Sequence, residues 1–194
     1  MQRAMVLVAM LAACAGSDDG AVGPDAPTDP MLGTWIRVPV VGLDGVTGLT
    51  FSAGGRWTAD GTFGADAGSY QIDSGSWLTL AGGAHVHTEG AYLLAGDQLM
   101  LQAYLPEGTP AGIVGTWVAH YATDALVEAR LQVAADGTVS LATTSRGDTT
   151  TATGTWTEEP RGFVVALGAT PGSPFHFRTM GGAAVGTQLY ERAP

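Results

Sequence analysis

His85 and His87 stand two residues apart, and on an extended strand such a pair projects from one face. Two imidazoles on one face could ligate a transition metal or hydrogen-bond a polar ligand. Zinc takes at least three protein ligands. The remaining histidines do not supply a third: His120 falls in a different part of the chain, and His176 has the opposite parity on its own strand. No metal or other cofactor is expected. His85 and His87 are read as candidate ligand contacts, against the plainer alternative of solvent-facing or internally satisfied side chains.

The signatures of covalent or acid-base catalysis are missing. There is no Gly-x-Ser-x-Gly elbow, no His-Glu-x-x-His, and no glycine loop followed by Lys that would cradle a phosphate. The carboxylate pair Glu158-Glu159 precedes Pro160 in a predicted turn, where solvation is the ordinary state. Arg146-Gly147-Asp148 spells an adhesion tripeptide on a predicted hairpin loop, and a chance polar turn is the simpler reading. An enzyme is therefore not expected. Trp35, Trp57, Trp77, Trp117 and Trp156 could line an apolar pocket, although buried core aromatics are the commoner arrangement.

The single cysteine, Cys14, excludes an intrachain disulfide. It follows one positive charge at Arg3, a short apolar run from Ala4 to Leu11, and the sequence Leu11-Ala12-Ala13. The apolar run is too short to span a bilayer and reads as an export signal over residues 1–13. Its ending resembles the bacterial lipobox, in which the thiol accepts a diacylglycerol group and cleavage falls immediately before the cysteine. Two or three acyl chains, each contributing about 0.8 kcal/mol per buried methylene, would then anchor the protein without a spanning helix. Residues 14–30 follow as Gly, Ala, Ser, Asp and Pro with little to bury, the composition of a disordered tether. Ala15 directly after the cysteine resembles the signal for sorting onward to the outer membrane. The expected location is the bacterial cell envelope, with the lipid as the membrane contact.

The formal net charge is −10, with 18 acidic residues against 8 basic ones, all of them Arg. Nucleic-acid binding depends on a basic face and is not expected.

The elements that must position these side chains come in two copies. Leu32-Gly33-Thr34-Trp35-Ile36 returns as Val114-Gly115-Thr116-Trp117-Val118, and Ala53-Gly54-Gly55 returns as Ala135-Asp136-Gly137 at the same spacing. Repeats of this length are folded units in themselves. Short Val-, Thr- and aromatic-rich runs between turn residues predict strands throughout, with no sustained helical period. One such strand is predicted over Ala84–Leu94, and because His85 and His87 align with Phe175 and Phe177 of the second copy, their face is expected to point inward. The predicted layout is repeat 1 over 31–108 and repeat 2 over 113–194, joined by Thr109-Pro110-Ala111-Gly112.

The Gly-x-Trp opening at Gly33 and Trp35, and again at Gly115 and Trp117, resembles that of the calycins, together with the apolar strand, Gly-rich hairpin, Gly-x-aromatic strand and closing Gln-Leu strand. The chain is in these respects similar to the lipocalin-like domains of bacterial lipoproteins. The resemblance implies two tandem antiparallel meanders, each a small β-barrel, in an all-β protein. It also implies that the Trp packs across a closed end beneath an Arg of the last strand. Arg192 fits that role in the second copy, where the first has Gln102 or Ala103. Fatty-acid-binding proteins place an Arg near the position of Gln188 to hold a carboxylate, and this chain has glutamine there. The function expected is a membrane-anchored, non-catalytic binding module for a small apolar or amphipathic ligand. The rival is a lipoprotein with filled barrels that serves protein interaction, inhibition or structure.

Overall fold

The computed structural model describes residues 29–39, 45–73, 76–168 and 174–194. The predicted leader, Cys14 and all but the end of the predicted tether lie outside them. The described residues form sixteen strands and no helix. No helix among them is long and apolar enough to cross a membrane.

The first seven strands run as an antiparallel meander: β1 (Gly33–Arg37), β2 (Val46–Ser52), β3 (Arg56–Gly61), β4 (Gly64–Asp73), β5 (Trp77–Ala81), β6 (Thr88–Ala95) and β7 (Gln98–Leu101). The last strand of the chain, β16 (Gln188–Arg192), lies between β7 and β1, with Leu101 opposite Gln188 and Trp35 opposite Arg192. These eight strands close into an antiparallel barrel, so every inner edge is paired. An all-β antiparallel barrel is consistent with a lipocalin-like fold.

Period-two alternation builds the interior of this barrel. On β2, Leu49 and Phe51 point in; on β3, Trp57 and Ala59 do so while Arg56 and Thr58 face water. Met31, Trp35, Leu78, Leu80, Leu99, Leu101 and Tyr190 complete the same core. On β7 and β16 the opposite face is buried too: Met100 and Leu189 join Val38, Ala103, Met180 and Ala184 in a separate cluster. A strand covered on both faces reads as a nearly unbroken apolar run, as Leu99-Met100-Leu101 does.

What covers that outer face is a second lobe. Strands β8 (Leu105–Ala111), β9 (Val114–Ala122), β10 (Leu126–Val133), β11 (Thr138–Ser145), β12 (Asp148–Glu159), β13 (Gly162–Leu167), β14 (Phe175–Thr179) and β15 (Val185–Gly186) form a continuous antiparallel sheet. Its edges meet at one bridge, where Tyr104 and Val185 exchange N–H···O bonds of 2.8 and 3.0 Å. Trp117, Leu131, Val133, Val139, Phe163, Val165 and Phe177 fill its interior. The lobes also pair at Gly90 and Tyr121, where a Cβ on residue 90 would lie 2.8 Å from the tyrosine Cβ. Only glycine permits that approach.

Strand membership crosses the sequence segments 31–108 and 113–194. The second lobe is drawn from residues 104–186 and is inserted between β7 and β16, two strands that pair directly in the first. The stretch expected to be a linker, Thr109 to Gly112, instead belongs largely to β8, which pairs with β9. Its prolines are tolerated because β8 is laddered along one side.

At the closed end of the first barrel, Trp35 donates its indole N–H to Met31 O at 2.8 Å, and Trp117 repeats this with Ile113 O at 2.9 Å. The arginine assignment shifts between copies: Arg192 covers Trp35, its guanidinium carbon 4.2 Å from the ring centre, because β16 belongs to the first barrel. Its Nη1 and Nη2 donate to Leu32 O and Pro30 O at 2.6 and 2.7 Å. Gly33, at φ 125°, leaves room for this guanidinium, since a Cβ there would lie 2.7 Å from Nη1. The last two residues of the expected tether are thus held in place. Asp29 also accepts the Tyr70 hydroxyl at 2.8 Å.

The turn at Arg146-Gly147 is a two-residue hairpin with both residues at positive φ, between the paired residues Ser145 and Asp148. Arg146 is tied to Asp124 at 2.5 Å, which suits a structural turn better than an adhesive one. The Ala53-Gly54-Gly55 and Ala135-Asp136-Gly137 turns are longer than two residues, spanning 53–55 and 134–137 between strand ends.

Candidate functional site

A cavity of about 400 Å³ opens at the end of the first barrel away from Trp35. Its apolar wall includes Val46, Leu49, Phe63, Leu80, Leu101 and Phe175. Its polar groups are Arg37, His85, His87, His176, Thr187 and Gln188, among others. Clefts of similar volume lie beside Trp117 and between β10 and β12, but Thr, Gly and Ala dominate their linings and no charged group is present.

The two histidines reach this cavity by a different route from the one expected. Residues 84–87 are not in a strand, and β6 begins at Thr88. The Asp66 carboxylate, on β4, accepts the backbone N–H groups of Ala84, His85 and Val86 at 2.8–2.9 Å, which diverts them from any ladder. The His85 N–H contributes most to holding the Asp66 carboxyl at about 2, with Ala84, Val86 and Ala67 adding to it against the cost of desolvation. His85 stacks on Phe63 with ring centres 5.0 Å apart, and both histidines are exposed at the rim. The inward-facing placement inferred from Phe175 and Phe177 does not hold for the histidines. It is mixed even in the second copy, where Phe177 is buried and Phe175 is 49% exposed.

Arg37 is the residue that sequence reasoning missed. It lies on β1 two positions beyond inward-pointing Trp35, so parity alone turns it toward the barrel interior. Its Nη1 and Nη2 reach only the carbonyls of Val46 and Thr187, at 3.4 and 3.3 Å, both long for such bonds. Its Nε, like that of Arg178, is buried with no hydrogen-bond partner among the described residues. No carboxylate among them pairs with it. Opposite on β16 is Tyr190, whose phenol burial pushes up to about 12, with the Arg37 charge acting in the other direction. Arg37 thus places a guanidinium on β1, the strand that pairs with the one carrying Gln188.

Arg178 makes an instructive contrast. It is 6% exposed, but Glu159 accepts from its Nη1, and its Nη2 donates to Pro39 O at 2.8 Å. Glu159 also meets His176 Nδ1 at 3.2 Å. The carboxylate expected to be solvated in a turn therefore ends β12 and neutralises a buried charge. Arg37 has no such counter-ion among the described residues.

Trp35, Trp57 and Trp117 are fully buried, and none of the five tryptophans lines this cavity. His85, His87 and His176 share its lining, yet no group of three His, Cys, Asp or Glu among the described residues is close enough to hold a metal. What the arrangement can do is hold a negatively charged group at Arg37 while an attached apolar surface packs on Leu49, Leu80 and Phe175. The chain has no match among protein-family models, curated proteins or solved structures.

Proposed function

We propose that this protein is a non-catalytic, lipid-anchored envelope lipoprotein whose first barrel binds a small amphipathic anion, such as a carboxylate carrying an apolar body. One observation carries the reading. In a chain of net charge −10, the described lining of this cavity holds one arginine, three of the four histidines and no carboxylate. A guanidinium in a lining without a carboxylate attracts an anion, and the imidazoles at the rim offer it further hydrogen-bond partners. The wall below is apolar, so the other end of the ligand is a hydrocarbon or an aromatic group. Anchoring rests on the Leu11-Ala12-Ala13-Cys14 sequence, which lies outside the described residues.

The test is displacement of a fluorescent anilinonaphthalene sulfonate probe by matched carboxylates and alcohols. Carboxylates should compete better than alcohols of the same length, and Arg37→Gln should weaken carboxylate binding about tenfold or more while leaving alcohols unchanged, as expected for loss of a charge-assisted bond. Equal competition by both classes, insensitive to Arg37, would reject the reading. Native mass spectrometry of protein from its own host would then show whether a stoichiometric protein partner accompanies it instead.

A further inference from the structure

The mouths of the two lobes share a wall. Phe175 and Thr187 line the cavity of the first barrel and also a second cavity of about 270 Å³ in the inserted lobe. Tyr104, Tyr121, Leu141 and Phe177 form much of the second lining, and no charged residue takes part among the described residues. Tyr104 and Phe177 meet edge to face with ring centres 5.6 Å apart, which gives this chamber an aromatic floor. Phe175, 49% exposed, is an apolar ring left uncovered where the two chambers adjoin.

Size and polarity divide between them. Small-molecule sites usually enclose ~300–1,000 Å³. The first chamber is near the lower limit and the second falls below it, whereas the two together reach the middle of that range. The first has the Arg37 guanidinium, and the second has no charged group in its described lining. Resting on the reading of Arg37 as the seat of an anion, we propose that the ligand is an extended amphipathic anion whose apolar tail passes over Phe175 into the second lobe, so that one site is built from both repeats. Duplication then supplied two halves that diverged, one for the head and one for the tail.

The experiment is calorimetric titration of the full chain with saturated straight-chain carboxylates of about eight to about sixteen carbons. Each methylene that enters the second chamber should tighten binding about fourfold. Leu141 is half-buried on β11, and Leu141→Trp should leave short chains binding as before while flattening the gain for long ones. A second measurement does not depend on that variant folding: a carboxylate with a nitroxide at its tail should broaden the NMR signals of Leu141 and Val165. Broadening confined to Leu49 and Leu80, or identical length series in the two proteins, would overturn the shared site. If short carboxylates bind through Arg37 and length adds nothing, only this proposal fails; if no carboxylate binds at any length, the reading of Arg37 fails with it.

Discussion

At the closed end of each lobe a tryptophan donates to the carbonyl four residues before it, yet the group packed across the adjoining glycine differs. In the first lobe it is the guanidinium of Arg192, 2.7 Å from where a Gly33 Cβ would sit; in the second it is the ring of Pro110, 2.9 Å from the corresponding point on Gly115. Arg192 arrives from a strand 160 positions further along the chain than the Leu32 carbonyl it holds. Pro110 lies five residues from Gly115. One repeat motif thus has a remote, charged cap in one setting and a local, apolar cap in the other. The burial of the tryptophan is the shared requirement, and the cap is the replaceable part.

Removing the remote partner should have the most severe consequence. A chain ending after Gly186 lacks β16 and should lose hydrogen-exchange protection throughout β1 to β7 while β9 to β14 stay protected; loss of protection in both lobes would show that the second does not stand on its own core. Trp35→Ala and Trp117→Ala should each cost about 3–5 kcal/mol in urea unfolding, because each empties a fully buried site of similar make-up. A large difference between them would mean that the caps, not the indoles, carry the closed ends. Arg192→Ala should cost about 2 kcal/mol through two bonds from a charged donor and its contact with the Trp35 ring. Pro110→Ala should cost only about 0.5 kcal/mol, chiefly by releasing the chain in the unfolded state.

The smallest expected effect concerns the mouth. Asp66→Asn should loosen residues 84–86, weaken ligand binding a few-fold and lower the unfolding midpoint modestly. Acid should reproduce it: the Asp66 carboxyl is held at about 2 against its usual 3.8, so its bonds to Ala84, His85 and Val86 are fully present above about pH 4. They are lost as pH falls through about 2. Amide shifts of these three residues followed against pH would check the sign and the window.

Much of the fold was legible because its determinants are local. Strand period, turn glycines and the repeated Gly-x-Trp are each written within a few residues, and the strand Phe175–Thr179 falls where its alternation puts it. The placement of β16 was not legible, since Gln188 to Arg192 presents the same alternation to either lobe and only barrel closure decides its neighbours. β8 was hidden because Thr109-Pro110-Ala111-Gly112 looks like a linker until an edge position makes Pro110 acceptable in a strand. His85 and His87 line the cavity rim, but the loop that carries them is set by Asp66, 19 residues before His85 and on another strand. Arg37 could have been found from its parity with Trp35, a signal obscured by looking for the cation only on the last strand.

The nesting of one lobe inside a hairpin of the other reverses the order of synthesis and completion. On a ribosome that makes the chain from its N-terminus, residues 104–186 are all available before Gln188 to Arg192 emerge, so the later lobe can be sealed while the earlier one still has two bare edges at β1 and β7. Those edges present unpaired N–H and C=O groups to any extended neighbour. A premature stop at codon 188 would therefore damage the part of the protein that was translated first.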